Sequence, residues 1–220
     1  MTELCIFVIA APVMGKERPA ALLASQLSLP RFSAGDAFRV NFRDRTDLWW
    51  QAKAYLDRGE AIADEVMVAM VGEQLALDGV RDGFVLDGFP CTVPQAHAFN
   101  QMLAAEFGVG LDLVLRPVVD YEQVLRQWSG RRSCGECHRL WHVDDDDVQD
   151  GLCGDCGSTL YQRDDDKEEA VRPLLHSHQE WSAALARIYA DETVVLDFDA
   201  TGTAEEAAHQ ALQAIQQSPM

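Results

Sequence analysis

The sequence predicts an α/β fold with a parallel sheet covered on both faces, and three observations carry that expectation. Cys5–Ala10, CIFVIA, is a continuous apolar run, the pattern of a strand buried on both faces. Further short apolar runs alternate with longer stretches of helical character, the order that builds parallel sheets. A single polar, cysteine-bearing segment breaks this rhythm.

Taken in order, Cys5–Ala10 is the first strand, and a helix follows over Arg18–Gln26. Pro19 falls in the first turn of that helix, where its missing N–H costs no hydrogen bond. Phe84–Leu86, Leu111–Leu115 and Val194–Phe198 are the further buried-strand candidates. Helices are expected over Asp47–Arg58, Asp64–Leu77, Val93–Glu106, Tyr121–Ser129, Glu168–Asp191 and Ala204–Gln216. Ser133–Tyr161 has little periodicity and carries the acidic run Asp144–Asp147, so it reads as an inserted subdomain. The tail from Gln216 to Met220 is expected to fray. No internal repeat is present.

A length of 220 residues suits one sizeable domain, and a hydrophobic fraction of 48% suits a globular core. No apolar run is long enough to span a bilayer. The N-terminus has no charged region ahead of its short apolar run, so Cys5–Ala11 reads as a core strand and not as a signal peptide. These features point to a cytoplasmic protein. The formal net charge of −18 disfavours nucleic acid and anionic membranes as partners. Solubility, or a salty cytoplasm, accounts for that acidity more simply than a special partner.

Four of the six cysteines form two CxxC pairs, Cys134/Cys137 and Cys153/Cys156, with fifteen residues between them. Two redox pairs are the competing reading. The spacing favours one closed tetrahedral zinc site of structural type. Gly135, Gly154 and Gly157 allow the tight turns that bring sulfurs together. A catalytic zinc would need an open position and usually histidine, so His138 and His142 read as surface residues. The segment is too short and polar to bury a core, and metal binding should supply its folding energy.

Several ordered blocks resemble adenylate kinases of the zinc-lid type along almost the whole chain. Ser33–Arg39, SAGDAFR, is similar to that family's STGDxxR, and Gly59–Glu65, GEAIADE, to its GxLVxDE. Asp87-Gly88-Phe89-Pro90 and Gln95 match its acceptor-site signature in register. Gly130-Arg131-Arg132 and Gln162-Arg163-Asp164-Asp165-Asp166 bracket the cysteines as the family's lid entry and exit do. The resemblance implies a P-loop NTPase three-layer fold with a five-stranded parallel sheet. It also implies a helical acceptor-binding insert over residues 33–64 and a small zinc-binding lid over 130–165, within one domain spanning 1–220.

The resemblance further implies roles for single residues. Gly15-Lys16 stand where the GK of the phosphate loop belongs. Arg39 would contact the acceptor phosphate, and Gly35, Ile62, Gly88 and Gln95 would hold the acceptor nucleotide. Asp87 and Asp165 would keep magnesium-water and hinge contacts, and Lys16, Arg131 and Arg163 would close on the transferred phosphate. Other positions depart from the pattern. Ala10 and Val13 replace loop glycines, and Glu17-Arg18 replace a glycine and the threonine that follows the lysine. Cys91, Gln127 and Leu174 replace phosphate-gripping arginines, and Trp49-Trp50 replace a glycine and a lysine.

The implied activity is phosphoryl transfer from ATP to AMP or a related acceptor, weak or altered, with Mg2+ accompanying ATP and Zn2+ structural. A catalytically inactive nucleotide sensor or scaffold is the alternative. A third reading is a crevice repurposed for another phosphorylated metabolite, with Cys91 read equally as an exposed, reactive thiol or as a neutral replacement. The family resemblance favours a monomer.

Overall fold

The computed structural model describes residues 4–10, 18–78, 80–148 and 150–218. Gly15, Lys16, Val13, Glu17 and the last two residues of the tail lie outside them. The chain divides into two compact units. Among the described residues the first unit comprises 4–10, 18–118 and 181–218, and the second comprises 119–180.

The first unit is built on a five-stranded parallel sheet. Its strands are β1 (Leu4–Val8), β2 (Arg31–Ser33), β3 (Gly83–Asp87), β4 (Leu113–Val118) and β8 (Val194–Asp199), in spatial order β2-β3-β1-β4-β8. All pairs among them are parallel. Each residue of β1 from Cys5 to Val8 and each of β3 is buried, so successive side chains enter opposite faces of a fully covered sheet.

The helices of this unit are α1 (Pro19–Leu27), α2 (Ala34–Asp44), α3 (Asp47–Leu56), α4 (Asp64–Asp78), α5 (Val93–Met102), the C-terminal part of α7 (Glu168–Ala190), and α8 (Ala204–Gln217). α1 and α8 pack together, as do α4 and α5. The larger core joins Cys5, Phe7 and Ile9 to Met70, Val71 and Leu75 of α4, to Phe99, and to Leu185 and Tyr189. This is the three-layer α/β arrangement expected.

The elements differ from expectation in local ways. β1 ends at Val8, not Ala10, and β4 runs from Leu113 to Val118 instead of Leu111 to Leu115. β2 and α2 carry no apolar signal. β2 has three residues, and α2 buries only Ala37 and Asn41, relying on its Ser33 cap, which accepts from the Asp36 N–H. The helix of α5 continues through a wide turn over Leu103–Phe107.

The second unit contains α6 (Tyr121–Ser129), the N-terminal part of α7, and a three-stranded antiparallel sheet. That sheet is formed by β5 (Arg131–Cys134), β6 (Leu140–His142) and β7 (Leu160–Tyr161) in order β6-β5-β7. Here the polar insertion contains regular strands that its sequence did not announce. Among the described residues its hydrophobic core is Cys134, Trp141, Cys153 and Leu160, with Val148 against them. No helix among the described residues is long and apolar enough to cross a membrane.

Gly83 sits at φ +91°, level with Leu4 across the β1/β3 ladder. A Cβ there would fall 2.5 Å from the Leu4 nitrogen, a backbone atom. Gly83→Ala is therefore expected to destabilise the chain by more than about 2 kcal/mol, read as a lowered urea midpoint at unchanged m-value.

Candidate functional site

The C-terminal ends of β1, β2 and β3 lie level, with Asp87 in register with both Val8 and Ser33. Parallel sheets bind ligands at such strand ends. Ser33 accepts a hydrogen bond from the Asp36 N–H at 3.1 Å and donates through its hydroxyl to Asp36 Oδ2 at 2.6 Å. Arg31 bridges two carboxylates, donating to Asp36 Oδ2 and to Asp87 Oδ2 at 2.8 Å each.

Arg39 lies on the second turn of α2 and reaches back over its start, where it pairs with Asp36 Oδ1 at 2.5 Å. Gly35 leaves room for that course, since a Cβ there would meet Arg39 Nη1 at 3.3 Å. Partial burial pushes the Asp36 carboxyl up, but the Ser33 hydroxyl and the Arg39 and Arg31 guanidiniums outweigh it and hold its pKa below the usual range. Arg39 itself remains 69% exposed, so its outer face is open to an anion.

Beyond Asp87 the chain turns at Gly88, with φ +67°. A Cβ at Gly88 would approach the Ala10 Cβ to 3.0 Å, so the turn and its neighbour both favour glycine. Gln95 is buried at the start of α5 and ties the segment together. Its Oε1 accepts from the Cys91 N–H at 2.8 Å, and its Nε2 donates to Asp64 Oδ1 at 2.7 Å. Thr92 caps α5 by accepting from the Gln95 N–H and donates to Asp64 Oδ2 at 3.1 Å. Ile62 packs, partly buried, against the main core.

Cys91 is half-buried, and its thiol donates to the Gly88 carbonyl at 3.0 Å. Burial, and next the negative charge of Asp64, push its pKa up despite Arg18. A reactive thiolate needs the opposite surroundings, so the reading of Cys91 as an exposed nucleophile is corrected. Trp49 is a core residue, edge-on to Phe38 and Phe42. Trp50 is exposed, with the Arg45 guanidinium 6.0 Å from its ring.

The phosphate-loop residues Gly15 and Lys16 lie outside the described residues. Arg18, the extended N-cap residue of α1, is described, and its Nη1 lies 3.5 Å from Asp87 Oδ1.

In the second unit, Arg131 makes a two-pronged ion pair with Asp166, whose side chain is wholly buried. Arg163 pairs with Asp165 through two contacts, the shorter at 2.6 Å, on the surface. Arg172 is held by Glu168 and Glu122, and Leu174 is exposed.

The sulfurs of Cys134, Cys137, Cys153 and Cys156 lie within 4.8 Å of one another. The Cys134–Cys156 and Cys137–Cys153 sulfur distances are 3.5 and 3.6 Å. A tetrahedron of thiolates about 2.3 Å from a metal has edges of about 3.8 Å, so the group fits a four-coordinate ion. All six cysteines are free thiols. Desolvation raises the Cys153 pKa, but the N–H groups of Cys156 and Asp155, together with the Cys137 and Cys156 thiols, outweigh it and draw it down to about 6, while Cys137 is pushed up. The structure thus brings together the four predicted ligands. It also groups Gly35, Arg39, Asp87, Gly88 and Gln95 near the strand ends of the first unit, and holds Arg131, Arg163 and Asp165 in the second.

Arg31 is the site residue that motif reading missed. Nothing in its local sequence marks it, and only the β2/β3 register puts its guanidinium between Asp36 and Asp87.

Residues 8–194 match the family model for adenylate kinase. The chain is similar to an adenylate kinase of Acidothermus cellulolyticus, with 46% identity over 211 residues, covering 96% of this chain and 97% of the relative. It is 41% identical to an adenylate kinase of Salinispora tropica, over 96% of this chain and 97% of that protein. One from Streptomyces avermitilis is 38% identical, over 96% of each chain.

Proposed function

The chain belongs to the adenylate kinase family, and we propose that it transfers the terminal phosphoryl group of ATP to AMP or a related nucleoside monophosphate, at a reduced rate. The observation that carries the reading is Arg39: an exposed guanidinium fixed by Asp36 over the start of α2, beside the strand ends. In the transfer, an acceptor phosphate oxygen attacks the γ-phosphorus and the bond to the β-phosphate oxygen breaks, leaving two nucleoside diphosphates. Such catalysis is positioning and charge neutralisation.

In this reading residues 33–64 form the acceptor insert and 130–165 the lid. Arg39 holds the acceptor phosphate, while Gly35, Ile62, Gly88 and Gln95 shape the nucleotide's seat. Gly15 and Lys16 serve the donor phosphates, and Arg131, Arg163 and Asp165 are the lid's contribution. The metal of the four cysteines is zinc in a structural role, because four thiolates close a tetrahedral shell and leave no open position. Cysteines kept as thiolates for a metal favour a reducing compartment, the cytoplasm.

The reduced rate follows from the acceptor side. Cys91 brings no charge, and its thiol faces the Gly88 carbonyl. One arginine acting on the transferred phosphoryl can be worth about 10³-fold. In a coupled assay with ATP, magnesium and AMP, turnover is expected below the range of about 1–100 s⁻¹ typical of kinases. Cys91→Arg should raise kcat/KM for AMP by about tenfold to a hundredfold. Wild-type turnover within the ordinary range would refute the reduced rate. Absent turnover with a thermal shift by ATP or AMP would instead mark a nucleotide sensor.

A further inference from the structure

The amide of Gln95 is held one way round. Its Nε2 donates to Asp64 Oδ1 at 2.7 Å, and its Oε1 accepts from the Cys91 N–H at 2.8 Å. A carboxylate accepts and a peptide N–H donates, so reversing the amide breaks both bonds. It also sets Oε1 against a carboxylate oxygen, two acceptors with no hydrogen between them.

Asp64 is fixed in turn. It opens α4, and its Oδ2 accepts from the Thr92 hydroxyl at 3.1 Å. The oxygen of that hydroxyl caps α5 by accepting from the Gln95 N–H at 3.2 Å, so its proton is directed to Asp64. One carboxylate therefore ties the start of α4 to the start of α5 and takes one hydrogen of the Gln95 amide. All four residues belong to the first unit.

Gln95 is 8% exposed, and its two bonds leave the amide one further N–H and one further carbonyl lone pair. The lock at Asp64 sets which position each of them occupies. Purines differ in the pattern they offer to such a pair. Adenine has a donor in its 6-amino group beside an acceptor at N1, whereas hypoxanthine has an acceptor in its 6-oxo group beside a donor at N1. An amide of fixed orientation pairs with one pattern and opposes the other.

On the basis of the acceptor reading, in which AMP is the acceptor and Gln95 lines its seat, we infer that Asp64 is the positioning residue that makes the site choose a 6-aminopurine monophosphate over a 6-oxopurine one. Asp64 acts through Gln95, by holding its amide in the orientation that pairs with adenine.

Calorimetric titration of the full chain with AMP and with IMP, its 6-oxo counterpart, tests this. Wild type is expected to bind AMP at least about tenfold more tightly than IMP. Asp64→Asn replaces the carboxylate by an amide whose oxygen accepts from the Thr92 hydroxyl, which turns its amino group toward Gln95 and favours the reversed amide there. The preference for AMP should then fall by about tenfold, with IMP bound more tightly than by wild type. Asp64→Ser, whose hydroxyl donates or accepts, should lose preference in the same direction, and it carries the test where asparagine unfolds the chain. Thermal melting establishes that each titrated variant is folded. A merely structural Asp64 weakens both nucleotides alike, and that result overturns the inference. A wild-type chain that binds AMP and IMP equally overturns it too, as do folded variants that keep the wild-type preference; both leave the kinase reading standing. Absence of binding of either nucleotide to wild type overturns the inference and the acceptor reading together.

Discussion

Replacing Cys153 by serine is expected to abolish metal binding and to unfold the polar segment between β5 and β7. The reason is the size of its core. Cys134, Trp141, Cys153 and Leu160 are its buried hydrophobic residues among those described, and two of those four belong to the candidate metal cluster. Burying two large side chains contributes only about 3–6 kcal/mol, against about 1–2 kcal/mol of backbone entropy for each residue ordered. Zinc bound by four cysteines supplies about 10 kcal/mol or more at neutral pH, and that energy is folding energy. Wild-type protein should carry one zinc per chain by metal analysis, and the serine variant far less. In the variant, amide exchange over residues 131–161 should lose protection while β1, β3 and β4 keep theirs. A folded, protected segment in metal-free protein would show that the core suffices without the ion.

The second large effect is expected at Arg131. Asp166 is fully buried, and Arg131 is the guanidinium that meets both of its oxygens. Arg131→Met leaves a buried carboxylate without its partner, which costs about 3–5 kcal/mol. The pair Arg131→Met with Asp166→Leu should recover much of that loss, because removing both charges removes the desolvation penalty as well. Chemical denaturation of both variants, followed by Trp fluorescence, measures this. Equal stability of the single and double variants would show that the buried charge is not what Arg131 offsets. Activity separates the roles: the double variant should regain stability without regaining turnover, since Arg131 in the kinase reading also grips phosphate.

Arg131 and Arg163 illustrate how far motif reading reached. Both lie in the blocks that the resemblance likens to a lid's entry and exit, yet the sequence does not say what holds them. In the structure Arg163 pairs with Asp165 two positions along the chain, and Arg131 with Asp166, 35 positions away in the short helical turn after β7. The cysteines were legible because ligand spacing is a local property: two tight CxxC turns need only to meet. Buried strands were legible from continuous apolar runs, as at Cys5–Val8 and Phe84–Leu86. β2, α2 and the small antiparallel sheet were not, because they are short or polar and are held by capping and strand pairing more than by burial.

Cys91 shows the same boundary from the other side. Its identity announced the loss of a phosphate contact, but a lone cysteine reads equally as nucleophile or neutral filler. Only its surroundings decided: the Gly88 carbonyl accepts its hydrogen bond, and burial with Asp64 nearby keeps it a thiol. Trp49 and Trp50 divide likewise into one core residue and one exposed residue, a distinction that adjacent indoles cannot carry in sequence.

The chain's α/β class and its candidate metal ligands are therefore legible in the sequence from periodicity and spacing, and its family from the order of the motif blocks it resembles. The charge cluster at Asp87 was decided only by tertiary structure. Arg18 and Arg31 are separated from Asp87 by 69 and 56 positions. Three parallel strands in register bring them to one buried carboxylate, and whether that carboxylate faces a metal or an arginine is a matter of distances that no linear pattern records.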